Sequence, residues 1–132
     1  MEMKLLFKQP PALLGPNGRA CWAGRARQVK ITRSGARLVV LSVLRADADQ
    51  WAGWRPRVYG VTWYYWSGAG PDVDNVVARC KALLDGCADA FGINDRSLEL
   101  GRVARVRVKR ADARAGYVEL CFCAEKGGMD DG

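Results

Sequence analysis

Histidine is absent from the 132 residues of this chain. That excludes a Ser-His-Asp triad, a Cys-His pair, imidazole-ligated zinc and any histidine general base. Chemistry here must use carboxylate, lysine, cysteine or hydroxyl groups. Acid is missing from a long stretch as well. No Asp or Glu falls between Met3 and Ala46, where Lys4, Lys8, Arg19, Arg25, Arg27, Lys30, Arg33, Arg37 and Arg45 all stand. No run of about 18 apolar residues occurs, so no membrane span is expected. The N-terminal stretch lacks the apolar segment of a signal peptide, and the expected location is cytoplasmic. Internal repeats and low-complexity segments are also absent.

The apolar fraction of 49% is enough for one core, and the length is too small for two. A single domain over residues 1–124 is expected, with a frayed polar tail over 125–132. The net charge is +7, unevenly distributed: residues 1–70 hold 11 basic and 3 acidic side chains, and 71–132 hold 10 and 11. A basic first half is the electrostatic footprint of a polyanion binder. The 5 cysteines are an odd number. Cys80 and Cys87 lie in a helical pattern, Cys121 and Cys123 in a strand-like one, and Cys21 is alone. No zinc-ribbon spacing is present, and the cysteines read as reduced small hydrophobes in a reducing compartment.

Met3 to Phe7 is a short apolar strand. Gln9 to Gly18, rich in proline and glycine, is a loop. Arg19 to Ala46 reads as a helix with an imperfect stripe of Trp22, Ala26, Val29, Ala36, Val40, Val43 and Leu44. Asp47 to Pro56 is a loop in which Trp51 and Trp54 are expected to be exposed. Arg57 to Trp66 is aromatic and β-branched, hence a strand, with Trp63, Tyr64, Tyr65 and Trp66 assigned to core or dimer interface. Val76, Cys80, Leu83, Leu84, Cys87 and Phe91 then recur with a period near 3.6, one face of a helix that Gly92 ends. Val103 to Arg110 alternates Val106 and Val108 with Arg105, Arg107 and Lys109. Tyr117 to Cys123 is expected to pair back on it as a hairpin. The order β-α-β-α-β-β predicts a two-layer α+β fold, a mixed four-stranded sheet with two amphipathic helices.

Asp72-Val-Asp74-Asn75 follows a strand through a Gly-Pro break and opens the strongest helix. One aspartate there would cap the helix and complement its dipole. Two, spaced by one residue, exceed what a cap requires and can aim two carboxylates at one point. Magnesium takes oxygen ligands of this kind with waters and substrate phosphate. Asp95, in the turn after the helix, is the candidate third carboxylate. A helix of roughly 27 Å separates it from Asp74, so a tight fold-back or a second subunit would have to close the gap. Lys81 falls close to the helical line of Asp74, with Asp85 four residues further on. It can steady a phosphate or form an ordinary surface ion pair with Asp85.

Gly70-Pro-Asp-Val-Asp-Asn75, the helix with Lys81 and Leu83-Leu-Asp-Gly86, and Gly92-Ile-Asn-Asp95 resemble the RusA family of Holliday junction resolvases. Pro10-Pro11, Asn17, the basic segment Cys21 to Arg27 and the basic strand near the end extend the resemblance over about residues 4–124. The family's Asp-Asp turn is here Asn94-Asp95, and its helical lysine, often one turn after the box, is here Lys81, two turns along. The resemblance implies a homodimeric endodeoxyribonuclease cutting branched DNA, the four-way junction, with magnesium (manganese as substitute). It implies that Asp72, Asp74 and Asp95 hold the metal and that Lys81 serves the phosphate. Arg25, Arg27, Lys30, Arg105, Arg107 and Lys109 are the expected DNA-backbone contacts. The alternative is a nucleic-acid-binding accessory protein whose aspartates only cap a helix.

Overall fold

The computed structural model describes residues 1–15 and 22–124. Asn17, Cys21, the expected helix start at Arg19 and the expected tail 125–132 lie outside the described residues. The elements in order are β1 (Glu2–Lys8), α1 (Trp22–Ala46), α2 (Ala48–Trp51), β2 (Val58–Tyr65), α3 (Val73–Phe91), β3 (Glu99–Arg107) and β4 (Tyr117–Cys123). Short 3-10 turns occupy Ala12–Leu14 and Asp95–Ser97. The fold is two-layer α+β: a mixed four-stranded sheet with the two long helices packed on it.

Strand order is β1-β4-β2-β3. β4 is antiparallel to both β1 and β2, and β3 is parallel to β2. Alternation on β1, β4 and β2 produces rows across the sheet: Phe7, Val118 and Trp63; Leu5, Leu120 and Val61; Met3, Phe122 and Tyr59. These join Ala36 and Val40 of α1 and the apolar stripe of α3 in one core.

The expected hairpin between the last two strands does not form. The crossover β2-α3-β3 carries β3 to the outer edge, and β4 enters the slot between β1 and β2. Side-chain chemistry explains the exchange. Val118, Leu120 and Phe122 of β4 are all 0% exposed, a row that only the centre of a sheet can bury. β3 carries Arg102, Arg105 and Arg107, exposed and well suited to an edge, where charge discourages further strand pairing. β3 also starts at Glu99 rather than Val103 and ends at Arg107.

α3 matches its periodicity: Val76, Cys80, Leu83, Leu84, Cys87 and Phe91 are all buried. Asp72 is the N-cap, its carboxylate accepting from the Asn75 N–H at 2.8 Å. Gly92 closes the helix at φ 70°, left-handed, donating to the Ala88 and Asp89 carbonyls. α1 departs from expectation. Only Ala36 and Val40 are buried, and Trp22 is 85% exposed. A 25-residue helix spans about 37 Å, longer than the strands beneath it, so its first turns overhang the core.

The segment 47–56 is not an open loop. Asp47 caps α2 through the Gln50 N–H, and Trp51 is buried. Trp51 and Trp54 meet edge-on at 4.9 Å, and Trp54, Phe91 and Phe122 continue the chain of edge contacts into the core. The expected exposure of these two tryptophans is therefore overturned: their ring area is worth more in the core than in water.

Arg33 of α1 grips Asp89 of α3 with two hydrogen bonds, 2.7 and 2.8 Å. That hydrogen bonding holds the Asp89 carboxyl below its usual value, against a small opposing burial effect. A lowered folded value means stability present above the unfolded carboxylate value of about 3.9 and lost as pH falls through the folded one. The pair is exposed, so we expect under about 1 kcal/mol from it. Asp89→Asn should flatten that part of the acid limb of a urea-denaturation pH series below pH 4 and leave the neutral limb parallel to the parent's.

Candidate nucleic-acid and metal site

α3 begins where the chain leaves β2, and β2 and β3 run parallel, so its first turn sits at their carboxyl ends. In open α/β layers that crevice is where ligands bind. Asp72 and Asp74 project there, both exposed. Among the described residues neither carries an ion-pair partner. One oxygen of Asp72 is committed to the cap. The helix N-terminus stabilises both charges.

The loop ahead of them is tied to β3. Arg105 donates to the Pro71 carbonyl at 3.0 Å and Arg107 to the Gly68 carbonyl at 2.8 Å. Gly70, at φ 75°, packs against the Tyr65 ring. These two arginines, expected as DNA contacts, therefore also position the aspartate box, with their remaining N–H groups open to solvent. Arg25 is committed too: it donates to the carbonyls of Leu13, Leu14 and Gly15. Arg27, Lys30 and Lys109 are exposed and appear in no ion pair among the described residues.

Gly15 also abuts Asn75 and Arg79 of α3. The first turns of α1 thus share one end of the molecule with the start of α3. Further along α1, Arg33 lies against Asp89 near the other end of α3, so Arg27 and Lys30 lie on the stretch of α1 between the two ends.

Lys81 and Asp95 form a separate group. Lys81 Nζ lies 2.5 Å from Asp95 Oδ2 and 3.0 Å from Asp85 Oδ1. The hydrogen bond from Lys81 holds Asp95 below the usual carboxylate range, and the same bond raises Lys81. The fold-back that the sequence demanded is real but partial. Asp95 returns along α3 as far as Lys81, which is about 10.5 Å of helix rise beyond Asp74. Asp72, Asp74 and Asp95 do not converge in one chain. Among the described residues the one set of three potential ligand atoms within 4.8 Å of one another is Glu2, Cys121 and Cys123.

Arg79 carries no motif in the sequence that marks it. It donates to the Pro10 carbonyl at 2.6 and 3.1 Å and lies over the Trp63 ring at 4.7 Å. Burial lowers it below the ordinary guanidinium value. It faces a cleft of about 410 Å³ that Trp63, Tyr65, Trp66 and Pro71 also line. The only sequence signal was its position four residues after Asn75, on the helix face that turns toward β2. Of the aromatic run, Trp63 and Tyr64 are buried, while Trp66 is 42% exposed with Arg110 over its ring.

Asp72 and Asp74 could hold a hard cation there, with waters and substrate phosphates in the other positions, although one Asp72 oxygen already accepts the capping bond. Asp95, neutralised by Lys81, does not join them within one chain.

No family model matches the chain. It is 36% identical over 97 residues to an uncharacterized protein of Xylella fastidiosa (strain Temecula1), an alignment covering 70% of this chain. The chain spans about 60% of that relative's length. No helix among the described residues is long and apolar enough to cross a membrane.

Proposed function

We propose that this chain is a magnesium-dependent, structure-selective endodeoxyribonuclease of the RusA kind, acting on four-way DNA junctions as a homodimer. The observation that carries this reading is Asp72 and Asp74 at the start of α3, without ion-pair partners among the described residues, with Arg105 and Arg107 holding the loop ahead of them. Magnesium held there would polarise the scissile phosphate and supply hydroxide from a bound water. The chain's own residues do the rest. Asp72 and Asp74 present the ligand oxygens, and Arg105 and Arg107 fix the loop that carries them. Arg27, Lys30 and Lys109 neutralise backbone phosphates without reading bases, which suits recognition of shape over sequence. A third carboxylate would come from a second copy or from Asp95 released by Lys81.

A second reading is a DNA-binding accessory protein without cleavage. The specific observation in its favour is the Lys81–Asp95 pair, which keeps Asp95 away from the box.

Incubation with a labelled four-way junction and a matched linear duplex, with magnesium and with EDTA, separates them. Paired nicks in the junction alone, abolished by EDTA, are expected. Binding without cutting would move the assignment to the accessory protein, and equal cutting of duplex would remove junction selectivity. The double variant Arg27→Ala with Lys30→Ala should weaken junction binding similarly across sequences. Its log Kd–log salt slope should fall by about one per lost phosphate contact, read by fluorescence anisotropy.

A further inference from the structure

We propose that Glu2, Cys121 and Cys123 form a binding site for one thiophilic divalent ion, for which zinc is the natural probe. Residues two apart on a strand share a face, so Cys121 and Cys123 both point to the side of β4 away from the helices. Glu2 pairs with Cys123 in the β1–β4 ladder, which brings a carboxylate from the other end of the sequence against both thiols. Cys121 Sγ lies 3.5 Å and Cys123 Sγ 3.9 Å from the same oxygen, Glu2 Oε2.

The first separation is what a tetrahedral ion requires, and the second exceeds it by about 0.4 Å. With zinc–sulfur bonds of about 2.3 Å and a zinc–oxygen bond of about 2.0–2.2 Å, a tetrahedral sulfur–oxygen edge is about 3.5 Å. The glutamate is also oriented for the task. Its other oxygen, Oε1, is 3.4 Å from Lys4 Nζ, leaving Oε2 to the sulfurs. Carboxylate partners of this kind commonly steer metal ligands. Gly60 stands opposite Cys121 on β2, so no side chain fills the space on that flank.

Binding would release the two thiol protons to solvent. The charges of two thiolates and a carboxylate would be met by the ion and the Lys4 ammonium. Water would take the fourth position. Thiolate donors select zinc-like ions over magnesium, so this site is distinct from the aspartate box in place and in chemistry. Its effect would be to clip the start of β1 to the end of β4.

The test is titration of the reduced, metal-free full chain with cobalt(II). We expect one equivalent bound with a near-ultraviolet thiolate-to-cobalt charge-transfer band, displaced by zinc and untouched by excess magnesium. Cys121→Ser and Cys123→Ser should remove most of that band. Glu2→Gln should keep it while weakening affinity at least tenfold, and Lys4→Met should weaken it roughly tenfold. No band at one equivalent overturns the proposal, as does a band that survives in the double cysteine variant. Should the cysteine variants fail to fold, Glu2→Gln decides, because Glu2 is at the surface: undiminished cobalt affinity in that variant overturns the site.

Discussion

Asp74→Asn should abolish junction cleavage while leaving junction binding intact or tighter. The loss expected is roughly a thousandfold in single-turnover rate, about 4 kcal/mol of transition-state stabilisation, in line with what a metal supplies at a phosphoryl centre. The substitution is chosen to isolate charge. Asparagine keeps the shape of the side chain, and Asp74 makes no capping bond, so the helix start survives. Loss of its charge at the helix N-terminus costs only about 0.3–1 kcal/mol. Asp72→Asn should behave likewise, because asparagine caps as well as aspartate. Asp72→Ala would lose the Asn75 bond and confuse folding with catalysis. Removing a negative charge from a surface that meets a polyanion favours binding, so a gel-shift affinity at or above the parent's is expected. Unchanged cutting by Asp74→Asn would remove the aspartate box from the active site.

Asp95→Asn adds a discriminating result. In one chain Asp95 is held by Lys81, away from the box. If a second copy or a rearrangement delivers it to the metal, Asp95→Asn should match Asp74→Asn in its loss. If two carboxylates suffice, cutting should persist, and only the local Lys81 contact changes.

The parts of this fold that could be read from sequence are those written in local periodicity. α3 shows its apolar face, its Asp72 cap and its Gly92 terminator within 21 residues, and the structure reproduces each. Strand order leaves no such local trace. Whether Tyr117–Cys123 pairs with its sequence neighbour or with β1 depends on which strand's apolar row needs the centre, a comparison across the whole chain. Trp51 and Trp54 read as loop residues in the sequence because the turn-forming residues around them conceal a four-residue helix. The aspartate box was visible as a motif, but the reach of Asp95 depends on the path of the turn after Gly92. The Glu2–Cys121–Cys123 group was invisible for a simpler reason: Glu2 and Cys121 are 119 positions apart, and only the β1–β4 register unites them.

Gly86→Ala and Gly35→Ala should have opposite signs, although both replace a helical glycine by the best helix former. Propensity alone favours alanine by about 0.8–1.0 kcal/mol at either place. At Gly35, on the exposed side of α1, a Cβ would meet nothing within 4 Å. The gain should be realised there in full, as about 1 kcal/mol of added stability. At Gly86 the same Cβ would lie 2.1 Å from the Arg33 carbonyl oxygen and 2.9 Å from the Ala36 Cβ. The obstruction is helix backbone, which cannot rotate away as a side-chain tip can. α1 and α3 would have to separate by more than an ångström, opening the packing between Ala36, Val40 and the stripe of α3. Overpacking in a well-filled core costs about 1–3 kcal/mol and occasionally more, and backbone contact places Gly86 at the upper end. The clash therefore outweighs propensity, and Gly86→Ala should lose about 2–3 kcal/mol net. Urea denaturation of the two variants beside the parent checks this through the midpoints, provided the m-values agree. A Gly86→Ala midpoint at or above the parent's would mean that the helices are not in contact there. The junction between α1 and α3, with the Arg33–Asp89 pair that spans it, would then have to be redrawn.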